Sequence, residues 1–413
     1  MTTPFVLCVG AGMLQVPLLQ EAKALGLQVI ATDGNPEAPG ATVADAFYPI
    51  DTYDVPGHIH LVKHLRRRLS GVHVVGVVTA GADVAPTVAA AAQAAGVPGI
   101  PVTVAARSHD KAAVRDTMAM AGLSCYQPGW IVWIPGDVPW PITHAIADEI
   151  GYPCVLKPLQ QRASRGVSIV HDREALPCAV EKVRAYGERF LVEAYHTGTE
   201  HSVEAILSNE QLLWFNVVDR YFTYTDGIPL ETGHVNPSRL SQLQQQRLEL
   251  MLRLVAKALD VRWGPFKMDV LWTENGPILL EATCRLSGGW DCQRTSPLTG
   301  RNPLRTLLQV ACQLPVDPML APQGYAACAA ILPQETGILQ QLPEDEWHMV
   351  PGGEANTLGD RILWTVHPGD LIHPPAHCAE RVGFVMTWAS TYEAAWASAQ
   401  EHAAFLAPKM EIV

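Results

Sequence analysis

Residues 264–291 read GPFKMDVLWTENGPILLEATCRLSGGWD, and this stretch decides how the fold is predicted. Two apolar runs, 266–272 and 278–280, flank a polar turn that contains a glycine, which is the pattern of two adjacent strands. Asp269 lies in the first run and Glu281 closes the second, 281 − 269 = 12 residues later. We therefore expect the two strands to bring these carboxylates side by side.

Two neighbouring carboxylates in an apolar sheet need positive charge, because an ionised acid is costly to bury without a partner. We expect that no lysine or arginine close to the pair in sequence serves as its counter-charge. The pattern then favours a hard cation such as Mg²⁺, which prefers oxygen ligands and retains waters and substrate phosphates. Arg285 and the pair Gly288-Gly289 follow, and they suit an anionic substrate or transition state. A surface hairpin with solvated acids is the alternative for this stretch alone.

The composition indicates a large globular chain. Its 413 residues are 48 % hydrophobic and 17 % charged, which fits two or three domains with buried cores. The formal net charge of −12 argues against nucleic acid as a partner.

No apolar run reaches the roughly 20 residues that span a bilayer, and no basic segment precedes the first apolar run, so we expect neither a membrane span nor a secretion signal. The nine cysteines are scattered without a CxxC pair, which predicts free thiols in a reduced cytoplasm rather than a zinc site.

Strand and helix patterns alternate at the N-terminal end, which predicts a parallel sheet covered on both faces. The turn Gly10-Ala11-Gly12 follows the first strand, and Asp33 comes 33 − 10 = 23 residues after Gly10. This spacing is that of a dinucleotide site, but Gln15 stands where the third glycine belongs. We interpret the segment as a tight strand-to-helix turn and keep a nicotinamide oxidoreductase as a lesser alternative.

A predicted strand at 154–158 carries Lys157, and the polar loop QQRASRGVS follows it at 160–168. The loop combines hydroxyls, two arginines and one glycine, a mixture that suits phosphate binding. A solvated turn is the alternative. Ser108 is expected to cap the helix that follows it, and residues 225–237 are expected to form a long loop of the kind that often covers a site.

Taken in order, these pieces resemble the ATP-grasp superfamily, and most of all its amino-acid and peptide ligases, which are related to carbamoyl-phosphate synthase and biotin carboxylase. The matching segments are GAGMLQVP (10–17), DKAAVRDTMAMAG (110–122), ASRGV (163–167), FLVEAY (190–195) and the stretch 264–291. Each piece is short, but their order along nearly the whole chain is specific.

The resemblance implies an α/β fold of the α+β ATP-grasp kind in three parts. The first is a Rossmann-like N-terminal domain, 1–104, that is not a dinucleotide site. An ATP-grasp domain follows at 105–314, with a mobile lid at about 122–195, and an α+β subdomain at 315–413 ends the chain.

The resemblance also implies an ATP site built from two lysines, a phosphate loop and a hinge. The phosphates would be contacted by Lys111, Lys157, Ser164, Arg165 and Gly166. The adenine and ribose would be contacted by Glu193, Ala194, Tyr195 and Glu200, with Glu193 on the adenine amino group and Glu200 on the ribose hydroxyls.

By the same resemblance, Asp269 and Glu281 would hold Mg²⁺, and Arg285 would act with Lys157 as a catalytic cation. Two residues depart from the usual pattern. Thr283 stands where relatives have asparagine, which leaves one or two Mg²⁺ ions open, and Asp269 replaces the usual glutamate. The candidate substrate contacts are Arg220, His234, Gly288, Gly289, Trp290 and Asp291, with Asp291 or Asp226 for an incoming ammonium.

The function implied is that of an ATP-dependent carboxylate–amine ligase that forms an amide through an acyl phosphate and releases ADP and phosphate. Two alternatives stay open, namely an ATP-dependent carboxylase acting through carboxyphosphate and a nucleotide-binding pseudoenzyme. The cofactors expected are ATP and Mg²⁺. The partners expected are a small carboxylate and a small amine, without nucleic acid or membrane, and a homodimer is compatible with the resemblance.

Overall fold

The computed structural model describes residues 3–68, 72–134, 141–161, 163–225, 228–343 and 362–413. These residues form four sheets and the helices that cover them.

The N-terminal region is a parallel sheet between two layers of helices. Its elements are β1 (Thr3–Val9), α1 (Val16–Ala24), β2 (Gln28–Thr32), β3 (Ala46–Tyr48), α2 (Val55–Arg68), β4 (Val72–Val78) and α3 (Ala85–Ala95). The strand order is β3-β2-β1-β4, with all neighbours parallel. Successive residues of β1 point to opposite faces, so Val6 and Cys8 pack with α1 whereas Leu7 and Val9 pack with α2. The predicted parallel sheet with two covered faces is confirmed.

The glycine turn after β1 is closed by the chain itself. Asp33 Oδ2 accepts a hydrogen bond from the Ala11 backbone N–H at 2.9 Å, so the acid expected at a ribose fixes the turn instead. The Gln15 side chain lies against Gly10, where an added Cβ would come within 3.2 Å of its Cδ. The structure therefore favours the tight-turn interpretation over a dinucleotide site.

Two helices lead out of the N-terminal region, α4 (Val102–Ser108) and α5 (Lys111–Met120). The prediction that Ser108 caps the second helix is wrong. Asp110 is the cap, because its Oδ1 accepts from the backbone N–H groups of Ala112 and Ala113 at 2.9 and 3.1 Å.

A smaller antiparallel sheet lies within the predicted lid. Its elements are β5 (Trp130–Trp133), α6 (Pro141–Ile150), β6 (Cys154–Pro158), β7 (Ser168–Val170), α7 (Leu176–Arg184) and β8 (Phe190–Ala194). The strand order is β5-β8-β6-β7, and alternate residues of β6 and β8, such as Leu156 and Val192, pack against α7. The mobility of this unit remains a prediction.

The central strands and helices follow. They are β9 (Thr199–Ser208), β10 (Gln211–Thr225), β11 (Ile228–Asn236), α8 (Gln242–Leu259), β12 (Gly264–Thr273), β13 (Gly276–Thr283), α9 (Ser296–Leu298) and α10 (Pro303–Ala311). The C-terminal elements are β14 (Tyr325–Ile331), β15 (Gly337–Gln341), β16 (Ile362–Trp364), β17 (Leu371–Ile372), β18 (Gly383–Ala389), α11 (Tyr392–Leu406) and β19 (Glu411–Ile412).

One large antiparallel sheet joins the central and C-terminal regions, in the order β13-β12-β9-β10-β11-β14-β18-β16. The sheet crosses the predicted boundary near residue 315, because β11 pairs with β14. The domain boundaries therefore stay predictions. The strands β17-β15-β19 form a separate small sheet.

The expectation of a long loop at 225–237 is wrong, since most of this segment is the strand β11. Its polar residues and glycine hide the strand pattern in the sequence. Both edges of β11 are paired, with β10 on one side and β14 on the other, so its backbone groups are satisfied within the sheet.

All nine cysteines are free, and seven of them are buried, as the sequence predicted for thiols without a disulfide framework. In the described part of the chain, no helix is both long and apolar enough to cross a membrane.

Helix α8 offers a matched test of the core. Leu252 is fully buried against the central sheet, whereas Leu250 on the same helix is 54 % exposed. Leu252→Ala is expected to lower the free energy of unfolding by about 2–5 kcal/mol, because it removes buried methyl groups and leaves a cavity. Leu250→Ala should change it by less than about 0.5 kcal/mol. Urea unfolding of both variants measures the difference, and equal losses would contradict this assignment of the core.

Candidate active site

A cavity of about 550 Å³ opens between the N-terminal region, the lid sheet and the central sheet. Twelve charged side chains line its described wall. The acids are Asp83, Glu193, Glu200, Glu231, Asp269 and Glu281. The bases are Lys111, Lys157, Arg220, Lys267, Arg285 and Arg381. Because the acids and the bases are equal in number, the formal charges of the described wall cancel.

The pair predicted from the hairpin lies at the centre of this wall. Asp269 of β12 and Glu281 of β13 are direct cross-strand partners, so the prediction that the strands place them side by side is confirmed. Both face the cavity.

The expectation that this acid pair lacks a local counter-charge is wrong. Asp269 Oδ1 lies 2.9 Å from Arg220 Nη1 and 2.8 Å from Lys267 Nζ. Glu281 Oε1 lies 3.0 Å from Lys111 Nζ. Arg220 and Lys111 come from β10 and α5, far from the hairpin in sequence, and Lys267 points to the same face of β12 because it is two residues before Asp269.

The donor set fits Mg²⁺. Two carboxylates on one cavity wall offer the oxygen ligands that a small hard cation takes, leaving other positions for waters and phosphates. The paired lysines are then available to the same phosphates. Thr283 is buried, faces Lys267 across the strands and is not part of the described cavity wall, so nothing in its position favours a second ion.

Lys157 lies in a buried chain of charges with Glu193 and Arg115. Glu193 Oε1 accepts from Arg115 Nε at 2.8 Å, and its Oε2 contacts Lys157 Nζ. Burial alone would raise the pKa of Glu193, but the two cations hold it below its usual value. Arg115 also donates to the carbonyl oxygen of Leu280 at 3.0 Å, which ties α5 to β13. Sequence reasoning gave Arg115 no role, because only its three-dimensional neighbours reveal one.

Glu200 is the cavity acid for which the described residues provide no ion pair. Burial raises its pKa to about 7; Arg220 opposes this shift, and the charges of Asp269 and Glu231 add to it. The carboxyl group therefore changes its charge near neutral pH.

The phosphate-loop residues divide between the cavity wall and its support. Ser164 lines the cavity, whereas Arg165 and Gly166 do not. Gly166 has a φ of +70°, and a Cβ there would lie 2.5 Å from the Tyr186 ring, so a glycine is required. The hinge residues Ala194 and Tyr195 also line the cavity, beside Glu193.

Only some of the residues expected to contact the substrate line the cavity. Arg220, Gly288 and Gly289 line the cavity. His234, Trp290 and Asp291 are buried and lie outside its described wall, and their contact with substrate stays a prediction. Asp226 lies outside the described residues.

His234, Trp290 and Asp291 lie among the buried residues behind the loop that carries Gly288 and Gly289. Burial lowers the pKa of His234, against the opposing charges of Asp291 and Glu231. Glu204 accepts from the Ser287 backbone N–H at 2.6 Å and from the Cys292 thiol at 2.9 Å. Burial, followed by the Asp291 charge, raises the pKa of Glu204 to about 8.

Arg285 has a partner that sequence reasoning missed. Its Nε and Nη2 donate to the two carboxylate oxygens of Asp83 at 2.5 and 3.3 Å. Asp83 follows β4 of the N-terminal region, and no local pattern in the sequence marks it.

Comparison with known proteins identifies a domain family for the middle of the chain. Residues 150–294 match the model of the ATP-grasp domain. D-alanine–D-alanine ligase of Trichlorobacter lovleyi is 33 % identical over 33 % of this chain and 44 % of its own length. The resistance protein VanA of Enterococcus faecium is 29 % identical over 35 % of this chain and 44 % of its own length. The matches thus span less than half the length of these curated relatives.

Solved structures match over the full chain. L-amino acid ligase of Bacillus licheniformis superposes with a TM-score of 0.77 at 21 % identity, covering 100 % of this chain and 98 % of its own. The biotin carboxylase domain of Hydrogenobacter thermophilus 2-oxoglutarate carboxylase gives 0.72 at 18 % identity, covering 100 % and 91 %.

The chain therefore contains a match to the ATP-grasp domain at residues 150–294, and as a whole it has the fold of the two solved structures. The fold class predicted from the sequence is confirmed. ATP and Mg²⁺ are the cofactors of this class, as predicted.

The raised pKa of Glu200 predicts a pH-dependent stability. Between its usual pKa of 4.5 and its folded-state pKa of about 7, the carboxyl group is protonated only in the folded protein, so its contribution to stability is lost as the pH rises through about 7. Glu200→Gln stays neutral throughout. Its melting temperature relative to the wild type should therefore be higher at about pH 8.5 than at about pH 5.5. A difference that does not change with pH would contradict the assignment.

Proposed function

We propose that this protein is an ATP-dependent carboxylate–amine ligase that joins small, amino-acid-like substrates through an amide bond. The observation that carries the proposal is the cross-strand pair Asp269 and Glu281, which shares one cavity with Lys157 and Arg285. The name of one relative, D-alanine–D-alanine ligase, supports this choice of substrates.

The nucleotide would lie between the lid sheet and the central sheet. Glu193, with the backbone of Ala194 and Tyr195, would contact the adenine, and Glu200 the ribose hydroxyls. Lys111 and Lys157 would turn from Glu281 and Glu193 to the phosphates, since an anion of higher charge competes with a single carboxylate. Mg²⁺ bound by Asp269 and Glu281 would supply positive charge to the phosphate oxygens during transfer.

The chain's own residues then favour transfer of a phosphoryl group to a carboxylate. Arg285 presents a planar fork that binds two oxygens and stays charged, so it can orient the donor carboxylate and stabilise the charge that moves onto the transferred group. Gly288 and Gly289 line the same cavity as Arg285. A closed lid would keep water from the acyl phosphate until an amine attacks it.

The competing function is carboxylation through carboxyphosphate, which the match to a carboxylase structure keeps open. At 18 % identity that match supports the fold alone. Bicarbonate dependence separates the two reactions.

The proposal is tested by ADP release from ATP with pairs of amino acids, in buffer freed of bicarbonate and again with bicarbonate added. A ligase releases ADP only with a carboxylate and forms an amide without bicarbonate. ADP release that requires bicarbonate would replace the ligase with a carboxylase, and ATP binding without any substrate-dependent release would indicate a pseudoenzyme.

Removal of either metal acid should stop phosphoryl transfer. Asp269→Asn and Glu281→Gln are each expected to lower ADP formation by about 100-fold or more, because even groups behind metal ligands are worth 10- to 100-fold. Asp269→Asn also removes the charged partner of Lys267 and one of the two charged partners of Arg220, so its melting temperature must be measured beside its turnover. Glu274→Gln, in the exposed turn of the same hairpin, is the matched control and should keep wild-type turnover. Normal turnover by both acid variants at low Mg²⁺ would refute the metal site.

Arg285→Lys keeps the charge and loses the fork. Turnover is expected to fall about 10²- to 10³-fold, as when a donor to a transition state is removed, with a smaller loss of ATP binding. The control is Arg305→Lys, which changes a more exposed arginine paired with Glu21 and Asp317 away from the cavity. Intact turnover with a lowered melting temperature would make Arg285 a structural residue.

A further inference from the structure

Arg301 is a buried arginine outside the cavity of the candidate active site. It lies between α9 and α10, only 8 % of its surface is exposed, and it is not part of the described cavity wall. Arg305, one helical turn further on, forms ion pairs with Glu21 and Asp317. Burial lowers the pKa of Arg301 to about 10, and no acid among the described residues opposes this shift. The guanidinium group is therefore charged at neutral pH, and a buried charge is costly unless an opposite charge accompanies it.

The edge of this guanidinium group that binds carboxylates elsewhere in the chain is only partly used. Arg253 and Arg285 each present Nε and Nη2 together to one carboxylate. On Arg301, Nη2 donates instead to the backbone carbonyl of Phe215 and to the sulfur of Met319, and Nε has no hydrogen-bond partner among the described residues. A carbonyl carries no charge and a thioether is a weak acceptor, so this edge lacks the charged acceptor that the other two arginines have.

The open edge of β10 brings a second donor to the same point. Strand β11 pairs with β10 only from Asp219 onward, so the edge is not covered by β11 at Phe215. The Phe215 N–H group donates to Met319 Sδ at 3.4 Å, and Arg301 Nη2 donates to the same sulfur at 2.8 Å. A backbone N–H and a guanidinium N–H therefore converge on one atom, which is the arrangement that an oxygen atom of an anion requires.

Met319 reaches this point from the surface of the protein. The residue is 51 % exposed, and it lies in the stretch 317–323, which is exposed throughout and forms neither a helix nor a strand. Its sulfur can therefore turn away without breaking any regular structure. An oxygen atom of a dissolved ion can then accept from the same two N–H groups.

We propose that Arg301 and the Phe215 N–H group form a binding site for a small oxyanion, a phosphate or a carboxylate, whose oxygen takes the place of the Met319 sulfur. The ion supplies the opposite charge to the buried guanidinium group, and its oxygen is a stronger acceptor than a thioether. The buried indole N–H of Trp214 is a further donor without a partner among the described residues, and its ring centroid lies 5.5 Å from the guanidinium carbon of Arg301. The site is separate from the ATP cavity, and the inference does not depend on the ligase function.

The test measures the melting temperature of the full-length protein against the concentration of sodium phosphate or sodium acetate, with sodium chloride of equal ionic strength as the reference. Mg²⁺ and a non-hydrolysable ATP analogue are kept at saturating concentration, so that the added anion does not fill the phosphate positions of the active-site cavity. An ion that binds only the folded protein raises the melting temperature as its concentration rises. We expect such a rise above the chloride reference, and a rise with phosphate alone or with acetate alone identifies the source of the oxyanion.

Met319→Glu supplies a carboxylate from the chain itself. Its carboxyl carbon stands at the position of the sulfur along the side chain, so the melting temperature without added anion should rise. The concentration of anion that gives half of the stabilisation should increase by about 10- to 100-fold, the effect of losing a hydrogen bond to a charged group. Leu320→Glu is the matched control, because it adds the same charge to the next residue, which is 60 % exposed, and it should keep the wild-type value.

Two results overturn the proposal. A wild-type protein that responds to phosphate and to acetate only as it does to chloride shows that water is sufficient for these donors. Equal half-stabilising concentrations in Met319→Glu and Leu320→Glu show that the anion binds elsewhere. If Met319→Glu fails to fold, Met319→Ala replaces it. The half-stabilising concentration should then fall, because the anion no longer has to displace the sulfur, and a value equal to that of the wild type overturns the site.

Discussion

The antiparallel pairing of β12 with β13 is the constraint on which the candidate site depends. It brings Asp269 opposite Glu281, and a slip of either strand by one residue would turn that strand's side chains to the other face. Two further contacts hold these strands in place. Strand β9 pairs with the other edge of β12, and the apolar residues of α8 pack on one face of the sheet. Hydrophobic burial on one face thus fixes the positions of the charges on the other.

Those charges are arranged as mutual partners. Six acids and six bases line the described wall, and nearly all of them are paired with one another. Pairing of this kind stabilises the cavity without a ligand, because most of its buried charges have an opposite charge close by. Binding is then an exchange, in which phosphates and cations replace protein groups that already neutralise one another. Such an exchange favours ligands that bring both signs of charge.

The sequence predicted the features that rest on local spacing. The strand pair and the alternation of strands and helices at the N-terminal end follow from periodicity and turn chemistry over short distances. The partners of the acids could not be read in this way, because Lys111 and Glu281 are 281 − 111 = 170 residues apart and only the fold brings them together. Asp83 and Arg115 have no local signal at all. Strand β11 was missed because pairing on both edges, rather than its composition, makes it a strand.

The N-terminal sheet depends on a helix from the other side of the chain. One face of β1 is covered not only by α1 but also by α10, through Leu304, Leu307 and Leu308. A fragment that ends near residue 104 would therefore expose an apolar surface that the complete chain hides. Such surfaces favour aggregation. During synthesis the sheet would remain half covered until the ribosome has delivered the helix about two hundred residues later, so this sheet is completed as a structure well after its own strands have been made.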